Sequence, residues 1–262
     1  MTLKNENTDP FFQGVPTITG DTNDDLMPFG VEDFASMSMG MVYVIDFLKR
    51  NFRFVADRSS FLCGYSAKEV LLLGYDFYSI IIHPEELPLF KKIHTAILQR
   101  LHSMTDLGNV RHFSFVVRFK HEIGYLAVHH RLKPMFINGQ IRYGLCLLTS
   151  SIIDTPGHLR IYYNNSINFE EYSMEDEKWK KREIPLLTVR EKEVLKLVKQ
   201  GRTGKEAANA LGISYNTLRN IKTTIFQKLD VTSMTQAIIY ANYSQLLFSN
   251  GYLDECTEEP TI

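Results

Sequence analysis

The sequence predicts two domains of different class: an α+β domain built on an antiparallel sheet, then an all-α domain of four short helices. Three observations carry this. Phe113, Phe115, Val117 and Phe119 recur at every second residue, the period of a strand with one buried face. Asn138-Gly139 separates two further apolar runs, and this dipeptide accepts the positive φ angles of a tight hairpin. After residue 186 helix-start signals recur: Thr188 with Glu191, Thr203 with Glu206, and Ser233 with Gln236 at capping-box spacing, and Ser214 as a lone N-cap.

Residues 1–33 mix Asn, Asp, Thr, Pro and Gly without steady periodicity and read as an irregular arm. Met41 to Phe47 and Phe52 to Val55 are apolar runs joined by Leu48-Lys49-Arg50-Asn51, a hairpin pattern. Short helical patterns follow through Ser66–Val70. A longer helix opens near Pro84, a residue suited to a first helical turn. Its apolar set is Leu87, Phe90, Ile93, Ile97, Leu98 and Leu101. Three strands succeed it, the last two over Tyr125–Ile137 and Gln140–Ser150. The order of strand, strand, helices and three strands defines the first domain over residues 34–153. Residues 154–185, with their acidic and basic clusters, read as a linker with some helix; 186–250 is the helical domain and 251–262 a tail.

In the helical domain, Gly201 and Gly212 follow the first two helices as C-terminal stops. A turn of about three residues then separates the second helix from the third, the geometry of a helix-turn-helix. On the third helix, at ~100° per residue, Leu218, Ile221, Ile225 and Leu229 form one apolar side. The opposite side presents Asn216, Arg219, Asn220, Thr223 and Gln227 with no acid among them. Arg offers paired donors to guanine, and Asn pairs with adenine, so Asn216, Arg219, Asn220 and Thr223 are the candidate base readers. Lys205, Ser214, Thr217 and Lys222 are the candidate phosphate contacts. Charge agrees in sign. The chain carries a net charge of −1, yet residues 178–228 hold thirteen Lys or Arg against four Glu, as expected of one module facing a polyanion. A solvated helix surface would also carry such charge, so the motif decides.

The ordered set Leu187-Thr188, Arg190-Glu191, Glu193-Val194-Leu195, Gly201, Lys205-Glu206, Ala208, Leu211, Ile213-Ser214, Thr217-Leu218-Arg219, Ile225, Lys228-Leu229 and Val231 resembles the LuxR/GerE-type DNA-binding domain. The resemblance implies four helices, the third entering the major groove of double-stranded DNA and the fourth assisting a homodimer. It places Arg219, Asn220 and Thr223 at base-reading positions. Ile221 stands where the family usually has His, and Met234 where a basic residue is usual. A sigma-factor region with a similar motif would need a helical domain upstream, which the strand-rich first domain is not.

The order of elements in residues 34–153, with His83-Pro84-Glu85-Glu86 opening the long helix, resembles a PAS domain. That implies a sensor of a small molecule or partner, or a dimerisation module. A receiver domain would need repeated βαβ units, which are absent. The expected function is therefore a transcription regulator, with double-stranded DNA, a second copy and RNA polymerase as partners. The alternatives are a haem or flavin sensor and a ligand-free interaction adaptor. His112, His121, His129 and His130 crowd the strands, with His94 and His102 near the long helix. His129 and His130 face opposite sides of one strand and cannot simply chelate one ion. Cys63, Cys146 and Cys256 show no C-x-x-C pair, and Cys63 and Cys146 read as small apolar side chains. No nucleophile motif, phosphate loop or metal spacing appears, so neither enzyme activity, a metal nor a resident cofactor is expected. With no apolar N-terminal run or membrane span, a cytoplasmic protein is expected.

Overall fold

The computed structural model describes residues 30–57, 59–151, 153–164, 166, 168–183, 185–243 and 246. Most of the expected arm and the whole expected tail lie outside them. The chain forms two compact units, Met1–Arg182 and Glu183–Ile262.

The first unit opens with α1 (Val31–Met37), then the hairpin β1 (Met41–Asp46) and β2 (Asn51–Val55). Four helices follow: α2 (Ser59–Leu62), α3 (Ala67–Leu73), α4 (Asp76–Ile81) and the long α5 (Leu87–Ser103). Ser66 starts α3 through a reciprocal box, accepting from the Glu69 amide at 3.3 Å while its own amide donates to the Glu69 carboxylate at 2.7 Å. Pro84 does open the segment, though as one 3₁₀ turn, Pro84–Glu86, ahead of α5. The strands β3 (Val110–His121), β4 (Gly124–Ile137) and β5 (Gln140–Ser150) come next. Asn138 and Gly139 take φ of +51° and +77° at the β4–β5 turn, as the two-residue hairpin requires.

Two expectations are corrected. Residues 31–33, assigned to the arm, are the first turn of α1, whose Val31 and Ala35 are buried against Val42, Val44 and Tyr143. Residues 154–185 are not a linker with helix but carry β6 (Gly157–Tyr163), β7 (Phe169–Ser173) and β8 (Lys178–Arg182). Leu159 and Ile161 of β6 alternate into the core, and Phe169 of β7, opposite Tyr162, is buried on the other face with its ring stacked on that of Tyr162 at 5.4 Å. On β8, Trp179 is the sole apolar side chain. Its ladder to β7 sets Tyr172 opposite Trp179, both packed against the main core, and Glu171 pairs with Arg182 at 3.3 Å, so contacts between distant residues sustain a strand that hydrophobic pattern does not announce.

Among the described residues, eight strands form one antiparallel sheet in the order β2-β1-β5-β4-β3-β6-β7-β8. One face, bearing Tyr43, Phe113, Phe115, Val117, Leu132 and Leu148, packs with Tyr78, Phe90, Ile93 and Ile97 of the helices as the main core. The pairing Phe115↔His130 places these two rings 4.6 Å apart and nearly parallel.

The second unit is α6 (Val189–Lys199), α7 (Gly204–Ala210), α8 (Tyr215–Leu229) and α9 (Met234–Tyr243). Leu187, Val194, Leu195, Ala207, Ala208, Leu218, Ile225, Leu229, Ala237 and Ala241 form its core. Small residues on α7 and α9 let these helices approach the larger side chains of α6 and α8.

Candidate nucleic-acid interface

Local capping sets the frame of the helical unit. Thr188 and Thr203 both close reciprocal boxes with Glu191 and Glu206. Ser214 caps α8, its hydroxyl accepting from the Thr217 amide at 3.1 Å and lying 2.9 Å from the Thr217 hydroxyl. At α9 the pattern differs from the expected box. The Gln236 amide donates to Ser233, but the Gln236 side chain turns back to accept from Thr232 rather than from Ser233.

Between α7 and α8, Gly212 adopts φ +62°, a left-handed conformation that is strained for any side-chain-bearing residue. The turn is tied by Gly212 N–H to Asn209 O at 3.1 Å and Ile213 N–H to Ala208 O at 3.0 Å. Arg190 of α6 donates to Leu211 O and pairs with Glu193 at 3.0 Å. The turn that aims α8 is therefore held from a second helix, through a side chain that sequence reading placed only within the motif.

Glu191 was likewise visible only as a capping residue. It is 6% exposed, and besides its box it accepts from Lys228 Nζ at 2.8 Å. Lys228 also donates to Leu186 O at 3.2 Å. Burial opposes ionisation of Glu191, but the hydrogen bonds and charge of Lys228 and the cap at Thr188 outweigh it, leaving the carboxyl below its usual value. This contact joins the start of α6 to the last turn of α8. The separation of 37 residues hides it from local pattern.

On α8, Leu218, Ile225 and Leu229 are buried and Ile221 is half-buried against the same core. Ile221 thus packs where the family usually has His, and Met234 also lies against this core. Asn216, Arg219, Asn220, Thr223 and Gln227 are all exposed. Lys205, Ser214 and Thr217 are exposed as well, and Lys222 is half-buried. No ion pair engages Lys205, Arg219 or Lys222 among the described residues. The Thr223 hydroxyl donates to Arg219 O and that of Thr224 to Asn220 O, both at 3.1 Å. Thr224, exposed beside these residues, was not among the sequence candidates. The basic segment counted over 178–228 is divided by the fold. Lys178, Lys180, Lys181 and Arg182 belong to β8, where Lys180 pairs with Asp176 and Arg182 with Glu171.

A model of the luxR family of bacterial regulatory proteins matches residues 185–241. The spore germination protein GerE of Bacillus subtilis is 47% identical over 55 residues, covering 21% of this chain and 74% of that protein. The chain belongs to the LuxR family. The response regulator VraR of Staphylococcus saprophyticus is 34% identical over 105 residues, 38% of this chain and 50% of that protein. This LuxR-family chain thus spans about half the length of that relative, and 29% of the Bacillus subtilis regulator LiaR. Among solved structures, VqmA bound to DPO covers 82% of this chain and 88% of its own at 16% identity and a TM-score of 0.31, too slight a likeness to establish a shared fold.

The first unit of this LuxR-family chain has a second feature, a set of polar groups inside its main core. Tyr78 donates to the Tyr43 hydroxyl at 3.1 Å, and Cys146 and His94 lie beside the pair. Burial lowers the pKa of His94 to about 4 and that of His130 to about 3, so both are neutral near pH 7. His130 Nε2 is buried with no hydrogen-bond partner. His129 is half-buried on the opposite face of β4, as alternation along a strand demands. Cys146 is buried and its thiol is pushed up by burial, whereas Cys63 is half-buried and donates to Lys120 O at 2.8 Å. Among the described residues no group of three His, Cys, Asp or Glu side chains could hold a metal ion. No helix among them is long and apolar enough to cross a membrane.

Proposed function

We propose that this protein is a sequence-specific DNA-binding transcription regulator, acting as a homodimer on a roughly palindromic operator. The observation that carries the reading is the surface of α8: an exposed, acid-free row of amide and guanidinium groups directly opposite a buried aliphatic stripe. In this reading α8 lies in the major groove. Asn216, Arg219, Asn220 and Thr223 meet base edges, and Lys205, Ser214, Thr217 and Lys222 meet phosphates. RNA polymerase is the prospective further partner, and the cytoplasm the place of action.

The first unit is read as a PAS-like sensor of a small molecule or partner. Its support is the chain order of β1, β2, helices and β3–β5, with β6–β8 as an extension. The neutral polar groups Tyr43, Tyr78, His94 and His130 between sheet and helices suit an uncharged ligand better than an ion, because neither histidine carries charge near neutrality.

A gel-shift titration of the full chain against a library of duplex fragments tests the DNA reading. Retention that weakens steeply with salt is expected; no retention at any salt or protein concentration removes the reading. An absorption spectrum of the purified protein separates the sensor alternatives, since bound haem or flavin absorbs in the visible range and a colourless ligand does not.

A further inference from the structure

We propose that Thr223 recognises a thymine through its methyl group rather than its hydroxyl. The inference rests on the reading that α8 lies in the major groove and names what this residue does there. At ~100° per residue, Thr223 lies within about 25° of the direction opposite the apolar stripe of Leu218, Ile221, Ile225 and Leu229. No other α8 residue except Asn216 and Gln227 comes so near the centre of the exposed face. A residue at that position faces a base edge squarely rather than the flanking phosphates.

The hydroxyl of Thr223 is already engaged. It donates to the Arg219 carbonyl at 3.1 Å, four residues back, a bond that threonine makes within a helix when its Oγ turns onto the preceding turn. Thr224 does the same toward Asn220 O, so this is a local rule of the helix surface and not a chance rotamer. A threonine hydroxyl has one proton to donate. With it committed to the backbone, the side chain has no donor left for guanine O6 or N7, or thymine O4. The oxygen keeps lone pairs that could accept from adenine or cytosine amino groups, but it is turned back onto the helix by that bond, and the methyl group on the same Cβ is the group left free to meet a base. In the major groove the thymine C5-methyl is the one apolar group that any base pair presents. Methyl against methyl is then the contact of matched chemistry.

The neighbours make the contact selective. Arg219 sits one turn earlier, and Asn220 and Gln227 flank Thr223 on the same face. These are polar side chains suited to guanine and adenine, whereas Thr223 supplies the one apolar contact among them. A half-site read by this face would therefore combine guanine and adenine steps with one thymine whose methyl matters.

Hydroxyl and methyl can be separated by substitution. A serine at 223 keeps the hydroxyl and loses the methyl; a valine keeps the methyl and loses the hydroxyl. On the DNA, deoxyuridine removes only the thymine methyl. The probe is a duplex selected from a random library by the wild-type full-length chain, with each thymine replaced in turn by deoxyuridine. At one thymine per half-site, deoxyuridine should weaken wild-type binding about three- to five-fold, the loss of one buried methyl contact. Thr223→Ser should weaken binding to the unmodified duplex by a similar factor and be indifferent to that deoxyuridine. Thr223→Val should remain within about two-fold of wild type and keep its response to deoxyuridine. If Thr223→Val weakens binding while Thr223→Ser does not, the hydroxyl reads the base through its lone pairs and the proposal is overturned. It is equally overturned if no thymine couples to residue 223. A library from which the wild-type protein selects nothing overturns the DNA-binding reading itself, an outcome distinct from selected duplexes that ignore deoxyuridine.

Discussion

Replacing Glu191 by alanine removes two supports of the helical unit at once. The first is its half of the Thr188 capping box, in which the Thr188 amide donates to the carboxylate at 2.7 Å; loss of such a cap costs about 1 kcal/mol. The second is the partner of Lys228. Breaking a fully buried ion pair costs about 3–5 kcal/mol. The Lys228 side chain is 32% exposed and keeps Leu186 O, so water relieves much of that, leaving about 1–2 kcal/mol. The total is about 2–3 kcal/mol, a 30- to 150-fold change in an opening equilibrium. Hydrogen exchange followed by mass spectrometry on the full chain reads it locally. Peptides from α6 and α8 should lose protection by that factor while peptides from β3–β5 hold theirs. Glu191→Gln, which retains an acceptor but no charge, should lose less. The sign with pH also follows. The folded carboxyl lies below its usual value, so its stabilisation is present above the unfolded value near pH 4.3 and is lost as pH falls through the folded one. The gap between wild type and Glu191→Ala should narrow there. A change below about three-fold in α8 at pH 7 would show that Glu191 does not tie α6 to α8.

Three further outcomes are expected. Arg219→Ala should alter which duplexes are selected, whereas Lys205→Ala should weaken all of them and lower the salt dependence by about one phosphate contact; a Lys205 variant with changed base preference and unchanged affinity reverses the roles. Gly40→Ala should destabilise the first unit by about 3 kcal/mol, since a Cβ there would stand 2.1 Å from the Leu148 carbonyl oxygen, a backbone atom that cannot rotate away. A urea midpoint within experimental error of wild type, followed at Trp179, would contradict that packing. Burial depresses the folded pKa values of His94 and His130, so the unfolded chain binds more protons below about pH 6.5. Stability present above that pH should fall by about 1.4 kcal/mol per pH unit for each histidine as pH drops toward 4. His94→Leu should flatten the slope, and a wild-type profile level from pH 6.5 to 5 would sink the idea.

Much of the chain's architecture was written in local pattern. Capping boxes at Thr188 and Thr203 need only four residues each, the Asn138-Gly139 turn only two, and the stripe of α8 only a period near 3.6. Each is a short-range preference that holds before any tertiary contact forms, so the helices, the turn and the face bearing Arg219 and Asn220 could be placed from sequence. What short range could not supply was pairing across distance. Strands β7 and β8 carry few apolar residues, and distant contacts hold them: Tyr172 and Trp179 pack onto the main core, Glu170 pairs with Arg100 of α5, and Glu171 pairs with Arg160 of β6 and Arg182 of β8. The same holds for Glu191 with Lys228, 37 residues apart, and for His94 with His130, which share one aromatic cluster from a helix and a strand. The inward bend of the Thr223 hydroxyl also belongs to the folded chain alone, because a threonine on a helix has more than one permitted rotamer and local sequence does not choose between them.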